Sequence, residues 1–376
     1  MADREPTEIQ SPGDSIKRFL EERGWTQIEL AEVMGRSDAE VSAFILGKRA
    51  ISLDVARELG AAFGTDAEFW MDLEARYQLS RSRDVDGRIA QRARLYQFAP
   101  VREMVKRGWL KPSGDVDALE GNLRKFFGVS SMDQPVELPH ATRKRTQGIS
   151  PAQWAWIFRA KHLAMAAPCT GTFSSRSLDH ALKQLKELLI SPQEARQVPE
   201  ILADAGIRFL VLEHLSQTRV DGVTLWLNTK APVIALSFRY DRVDCFWHTL
   251  AHELGHVMKR DGMTRVMLDT DITGEGFESP EGDAEAEADE FAANFLVQRS
   301  ELENFIARVR PLYGTQRIAG FAKRIGVHPG IVVGQLQFRG EIGWSSFRPM
   351  LEKIRGVVTQ SALTDGWGHV APQVPY

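Results

Sequence analysis

The run FWHTLAHELGHVM, residues 246–258, is largely apolar and contains the motif H-E-x-x-H at His252, Glu253 and His256. Residues four apart lie on one face of an α-helix, about one turn from each other, so both imidazoles can reach a single metal ion. Glu253 is rotated by about 100° from His252, where it can hold a metal-bound water and accept its proton. The motif therefore predicts a helix that binds zinc and carries its own general base.

A second helical segment, DAEAEADEFAANFLV at residues 283–297, offers carboxylates for the third ligand position. On its own, such an acidic, alanine-rich helix is usually a solvated face. Glu285 and Glu287 point roughly 160° away from each other on a helix, so only one of them can face the metal. Glu285 lies in the apolar sector, where a buried carboxylate needs a compensating cation. We therefore expect Glu285 to bind Zn²⁺ with the two histidines. We expect Asp289 to support one of those histidines without contacting the metal itself.

Residues from about 200 to 298 resemble the ImmA/IrrE metallopeptidases. The resemblance is carried by GIR (206–208), DGVTLW (221–226), PVIALS (232–237), TLAHELGH (249–256) and the Glu-x-x-x-Asp-x-x-Ala pattern of the second helix. It implies site-specific cleavage of a repressor or regulator, with zinc held by His252, His256 and Glu285 and with Glu253 as general base. Two positions depart from the family pattern. The second helix ends in FLVQ, residues 295–298, where Leu-Leu-x-Pro is common, and His248 stands where an aromatic residue is usual.

Residues 11–80 are predicted to form an all-α domain, because short helices alternate with explicit start and stop signals. Thr26 and Glu29 form a capping box at the start of a helix that ends at Gly35, and Ser37 begins the next helix, which ends at Gly47. Two helices joined by a turn of this length form a helix-turn-helix. The arrangement resembles the Cro/repressor (XRE) family, and HigA-type antitoxins in particular, on Trp25, Gly35, Gly47-Lys48-Arg49, Phe69-Trp70 and Tyr77.

The sequence leaves DNA binding by this domain open. The candidate DNA contacts are Ser37, Ser42, Lys48 and Arg49. The face turned toward the bases, however, carries Asp38 and Glu40 and lacks the Arg, Lys, Asn or Gln donors that base reading prefers. Residues 11–80 contain eight Lys/Arg against thirteen Asp/Glu, a net charge of −5 that disfavours binding to phosphates. The alternative is a module for dimerisation or partner docking, which makes a homodimer a further expectation.

Composition narrows the class of protein. The 376 residues are enough for two or three domains, and 43% hydrophobic with 26% charged residues is the balance of an ordinary soluble protein. A net charge of −3 predicts no global attraction to nucleic acid or membrane. The two cysteines, Cys169 and Cys245, indicate a reducing compartment. No signal-peptide pattern opens the chain and no apolar run approaches about twenty residues, so we expect a cytoplasmic protein without membrane contact. Cys245 is also a candidate fourth ligand or redox switch, although a buried apolar cysteine is the commoner case.

Residues 81–195 are predicted to form a basic helical connector. Residues 81–111 contain nine Lys/Arg and only three Asp/Glu. A second basic block, residues 143–145, precedes Trp154, Trp156 and Phe158. Basic side chains interleaved with aromatics are typical of a groove for single-stranded nucleic acid. The alternative is that these aromatics are core residues, because Trp154, Phe158 and His162 have helical spacing.

The overall prediction is an α+β protein that is mostly α. Residues 196–300 should form a zincin-like metallopeptidase domain with a small antiparallel sheet built from the runs at 207–212, 223–227 and 233–237. The acidic segment from Asp269 to Gly282 is expected to be a mobile loop at the cleft. Residues 301–376 should be helical, with a second helix-turn-helix-like segment at 315–336.

The functional prediction has two branches. The first is a zinc-dependent endopeptidase that cleaves a repressor- or antitoxin-like protein in a stress, toxin–antitoxin or mobile-element response. The second is a DNA-binding repressor or antitoxin in which the metallopeptidase-like domain acts only as a sensor or docking module.

Overall fold

The computed structural model describes residues 10–81, 87–134, 136, 148–167, 169–263, 266–272 and 282–369. The chain divides into two compact units, residues 1–89 and 90–376. The basic block at 143–145 and most of the acidic segment before Gly282 lie outside the described residues. None of the described helices is both long enough and apolar enough to cross a bilayer.

The first unit is all-α, as predicted. Its helices are α1 (Pro12–Arg23), α2 (Gln27–Met34), α3 (Asp38–Ile45), α4 (Leu53–Phe63) and α5 (Ala67–Arg81). The capping box of Thr26 with Glu29 starts α2, and an equivalent box of Ser37 with Glu40 starts α3. Gly35 ends α2 at a φ of 66°, in the left-handed region that a side chain would disfavour. The helix-turn-helix therefore follows from local capping signals.

In the second unit, helices come both before and after the central strands in the sequence. Before the sheet come α6 (Gly87–Phe98), which crosses the unit boundary, α7 (Val101–Lys106), α8 (Val116–Phe127), α9 (Pro151–Ala166), α10 (Ser175–Leu188) and α11 (Val198–Asp204). The strands are β1 (Arg208–Leu212), β2 (Val220–Trp226), β3 (Pro232–Leu236), β4 (Met267–Thr270) and β5 (Leu363–Asp365). The remaining helices are α12 (Val243–Lys259), α13 (Asp283–Leu296), α14 (Arg299–Val309), α15 (Thr315–Ile325), α16 (Pro329–Phe338) and α17 (Arg355–Val358). The mostly helical α+β class is thus confirmed.

The sheet is mixed rather than purely antiparallel. Its strand order is β4-β2-β3-β1-β5. β2 is antiparallel to β3 and β4, as predicted, whereas β1 is parallel to β3 and β5. The all-antiparallel order does not form, because the β2–β3 hairpin places β3, not β2, beside β1. A prediction from strand runs alone cannot distinguish these two orders, because both bury the same apolar residues.

The described part of the predicted connector from residue 90 onward belongs to the second unit. Trp154, Trp156 and Phe158 on α9 are buried, and the Trp156 Nε1–H donates to the carbonyl of Leu212 in β1 at 3.1 Å. The aromatic groove for single-stranded nucleic acid is therefore wrong, because rings enclosed in the core cannot stack on bases. The core alternative for these aromatics holds.

The helix-turn-helix-like segment near the C-terminus is an internal part of the second unit. Most residues of α16 are buried, and α16 packs against α12. A side chain at Gly334 would place its Cβ only 2.5 Å from Oδ2 of Asp244 on α12. His328 caps α16 by accepting a hydrogen bond from the Gly330 N–H at 3.1 Å. These contacts assign the segment to packing behind the motif helix.

Candidate metal centre

The motif helix α12 is buried along nearly all of its length. Its residues from Val243 to Val257 are all enclosed, and His252, Glu253 and His256 have no measurable exposure. The apolar run surrounding the motif explains this burial, because it packs against the sheet on one side and against α13 and α16 on others. Three ionisable side chains are thereby held in the interior, where each needs a compensating partner.

Three predicted ligands converge on one point. The Nε2 atoms of His252 and His256 lie 3.0 Å apart, and Oε2 of Glu285 lies 3.3 Å and 3.2 Å from them, respectively. Tetrahedral zinc holds N and O ligands at about 2.0–2.2 Å, which puts neighbouring donor atoms about 3.3–3.6 Å apart. The separations of these donors therefore fit a zinc ion within a few tenths of an ångström.

Hydrogen bonds on the far side of each ring fix where its lone pair points. The Nδ1 of His252 lies 2.7 Å from Oδ1 of Asp289, and the Nδ1 of His256 lies 3.1 Å from Oδ2 of Asp261. A carboxylate only accepts, so each Nδ1 carries a proton and each ring turns Nε2 toward the other ring, where that nitrogen offers its lone pair to a metal once it is unprotonated. Two lone pairs and the Glu285 carboxylate then face each other, an arrangement that a cation stabilises.

The charges around the centre shift its pKa values in a consistent way. Burial opposes the charged form of His252, but Asp269, Asp289 and Glu285 raise the pKa of its imidazole well above the ordinary value. Asp289 lies between two rings, with Oδ1 also 3.5 Å from Nε2 of His248. Despite burial, these two histidines lower the pKa of Asp289 to about 2. The site is a pocket of negative charge that favours a cation.

Glu253 lies beside the converging donors, on the same helix as the two histidines. The Thr224 hydroxyl donates to its Oε2 at 2.6 Å, while its Oε1 is buried and has no hydrogen-bond partner among the described residues. Gly222 on β2 makes the room, because a Cβ there would lie 2.0 Å from Oε1. Burial, followed by the charge of Asp269, raises the pKa of Glu253 well above its ordinary value. One carboxylate oxygen is thus fixed and the other left for a proton.

The structure brings in two carboxylates that the sequence analysis missed. Asp269 on β4 joins His252, His256 and Glu285 in one group of donor atoms, and Asp261 supports His256. Asp269 was expected to open a mobile loop, but it lies in β4 and is almost fully buried. The available signal was the short apolar run Val266–Leu268 directly before it, which reads as an edge strand.

The other predicted residues lie away from the converging donors. Glu287 is on the surface of α13, where its Oε2 lies 2.8 Å from Nζ of Lys259. Cys245 is buried one residue after Asp244, with Sγ 3.8 Å from Oδ2 of that carboxylate, and is not among the donor atoms of the group. The helical phase used to choose Glu285 over Glu287 thus agrees with where the structure places both.

The predicted DNA contacts belong to the first unit. Ser37, Lys48 and Arg49 are exposed and Ser42 is half-buried. Glu40 was expected to repel phosphate, yet its Oε1 lies 3.2 Å from Arg36 Nη1 and 3.1 Å from Arg49 Nη1. Ion pairs within the unit therefore offset part of the charge of Glu40, and they also engage Arg49.

Comparison with known proteins matches a family model to part of each unit. Residues 16–70 match the family model described as Helix-turn-helix, and residues 204–335 match the peptidase family model described as IrrE N-terminal-like domain. Virulence-associated protein A' of Dichelobacter nodosus is 41% identical over 71 residues, which are 19% of this chain and 62% of that protein. The chain therefore covers less than two thirds of this relative's length.

Solved structures with similar segments include Pseudomonas aeruginosa antitoxin HigA with the higBA promoter. The similar segment is 34% identical and covers 19% of this chain and 79% of the HigA chain, with a TM-score of 0.19. A Pseudomonas aeruginosa protein in complex with its operator DNA is 35% identical. The similar segment covers 19% of this chain and 76% of that protein, with a TM-score of 0.18. The family matches confirm both resemblances drawn from the sequence: the chain carries a helix-turn-helix domain and an IrrE N-terminal-like domain.

Proposed function

We propose that this chain, with its helix-turn-helix and IrrE N-terminal-like domains, is a zinc-dependent endopeptidase that cleaves a regulatory protein of the repressor or antitoxin type. The observation that carries the proposal is the convergence of the His252 and His256 Nε2 atoms and the Glu285 carboxylate in a buried, negatively charged pocket. A zinc ion bound by these residues would polarise the scissile carbonyl and acidify a water molecule. A stress, toxin–antitoxin or mobile-element response is the proposed setting.

The chain's own residues supply the proton transfer. Glu253 keeps Oε2 in the hydrogen bond from Thr224, so Oε1 is the oxygen that accepts a proton from the attacking water and returns it to the leaving amine. Asp289 and Asp261 hold the rings of His252 and His256 in the tautomer that presents Nε2. Gly222 must stay small, because any side chain there would displace the Glu253 carboxylate.

The test compares wild type with Glu253→Gln. Purified protein is mixed with the repressor- or antitoxin-like protein encoded beside it, and fragments are identified by mass spectrometry while zinc is measured by atomic absorption. We expect the variant to keep its zinc and to lose cleavage by about 10²-fold or more, because an amide cannot accept the proton. Unimpaired cleavage by Glu253→Gln would show that the base lies elsewhere.

DNA binding by the first unit is the second candidate function. It is favoured by the helix-turn-helix family match and by the exposed Lys48 and Arg49, and opposed by the net charge of −5. The full chain is titrated onto duplex DNA from its own upstream region by fluorescence anisotropy at several salt concentrations. We expect weak, salt-dependent binding. Sub-micromolar, sequence-specific binding by a zinc-loaded protein that cleaves no neighbouring regulator would instead favour a repressor or antitoxin with a sensor domain.

A further inference from the structure

Asp269 completes a four-sided cage with the three predicted ligands. Its Oδ2 lies 3.5 Å from Nε2 of His252 and 4.0 Å from Nε2 of His256. With the 3.0–3.3 Å separations among the other donors, all four donor atoms lie within 4.8 Å of one another, close enough to bind a single metal ion. Asp269 thus stands at the corner that a catalytic site would leave to water.

The carboxylate of Asp269 faces the two histidines of this centre and also Glu253, whose pKa its charge raises. Its side chain is 3% exposed, and Oδ2 is fully buried without a hydrogen-bond partner among the described residues. A carboxylate that is buried in the interior and lies beside a second buried carboxylate needs a cation close by. Coordination to a cation would satisfy that oxygen.

Backbone pairing and ion pairs hold Asp269 in this position. β4 pairs antiparallel with β2, with Asp269 opposite Gly222 and Met267 opposite Thr224, the two β2 residues that contact Glu253. Just beyond the strand, Arg239 Nη1 lies 2.6 Å from Oδ1 of Asp271.

The same anchor reaches the sheet. Arg239 Nε donates to Oδ1 of Asp221 at 3.0 Å, and Oδ2 of Asp221 accepts from the Ile272 N–H at 2.9 Å. The end of β4 is therefore tied to β2 and to the residues that follow β3. An extended peptide that paired with this edge of β2 would have to take the place of β4.

We propose that Asp269 is a fourth protein ligand of the metal centre. We also propose that β4 occupies the edge of β2 with which an extended peptide substrate would pair. In this resting form the metal has four protein ligands, as closed structural zinc sites do, and no position for water. Asp269 must leave the metal before water can take its position, and a peptide can pair with this edge of β2 only after β4 has left it. This inference rests on the proposed metal-binding function. It adds a fourth ligand and a closed resting form to that function.

The test uses Zn²⁺ and Co²⁺ alone as probes of wild type and Asp269→Asn. We expect the variant to lose zinc affinity by about tenfold or more, measured by competition with a chromophoric chelator, because a neutral amide is a poorer ligand. Glu287→Gln is the matched control, since it removes one negative charge from α13 at the surface. It should bind zinc as wild type does.

Co²⁺ reports whether water occupies the site. A metal-bound water titrates near neutral pH, at about 7 for zinc, so we expect the visible Co²⁺ spectrum of wild type to stay constant from pH 6 to 9 and that of Asp269→Asn to change over this range. The wild-type titration does not depend on the variant folding. A wild-type spectrum that titrates, or an Asp269→Asn variant with unchanged zinc affinity, would overturn the fourth ligand. Wild type that binds neither metal would instead overturn the proposed function.

Discussion

In the second unit, α9 carries one half-buried histidine and α12 carries three buried ones, and the two helices give these imidazoles opposite chemical surroundings. On α9, the His162 ring centre lies 5.0 Å from that of Phe126 and 6.3 Å from that of Phe158. Burial, with a smaller effect from the neighbouring Lys161 and Arg159, lowers the pKa of His162 to about 4. On α12, carboxylates outweigh burial and raise the pKa of His252.

The difference comes from the side chains around each ring. His162 lies beside Phe126 of α8 and near Lys161 and Arg159 of its own helix. His252 instead faces carboxylates contributed by β4 and α13. Burial keeps His162 neutral as a packing residue, whereas at His252 it concentrates a negative field that a metal can neutralise.

The largest expected effect is loss of metal on removing a ring from α12. His252→Ala or His256→Ala should lower zinc content from about one ion per chain to near zero after dialysis, because a site left with a single imidazole and carboxylates holds zinc too weakly. The affinity loss should exceed the 10–100-fold that removal of a supporting partner typically costs. Metal content is measured by atomic absorption on purified protein.

His162→Leu is the matched control for this prediction, since it removes an imidazole from α9 without touching the donor group. It should retain zinc in full. Equal zinc loss in the α9 and α12 variants would mean that the metal depends on the stability of the unit rather than on the His252 and His256 rings.

The second expected effect separates two carboxylates on α13. Glu285→Ala should lose most of its zinc, because Oε2 of Glu285 is one of the converging donors. Glu287→Ala should keep its zinc, because Glu287 only pairs with the exposed Lys259 and surface pairs contribute little. Isothermal titration of both metal-free variants with Zn²⁺ gives the comparison. Tighter zinc binding by Glu285→Ala than by Glu287→Ala would overturn the assignment of the third ligand.

The parts of the molecule that the sequence predicts well are those fixed by local signals. Ser37 caps α3 through bonds to its own helix, and the phase of α13 is enough to turn Glu285 inward and Glu287 outward. Asp269 could not be assigned to the centre in this way, because its position depends on the pairing of β4 with β2 across the chain. The parallel pairing of β1 with β3 was missed for the same reason. Long-range strand pairing leaves little trace in the residues that take part in it.

The smallest expected effect is on acid stability, and it concerns His162 alone. Its pKa falls from an ordinary 6.5 to about 4 on folding, so the unfolded chain takes up this proton more readily than the folded one. The stabilisation is fully present above about pH 6.5 and is lost as the pH falls toward 4, at most about 3 kcal/mol. His162→Gln cannot take up that proton, so its free energy of unfolding should fall less than that of wild type between pH 7 and 4.5. Urea titrations with a chelator remove the pH dependence of metal binding, and His180→Gln, at an exposed position on α10, serves as the control. If His162→Gln and wild type lose stability equally over this range, the ring on α9 is not held neutral, and its contrast with the rings on α12 disappears.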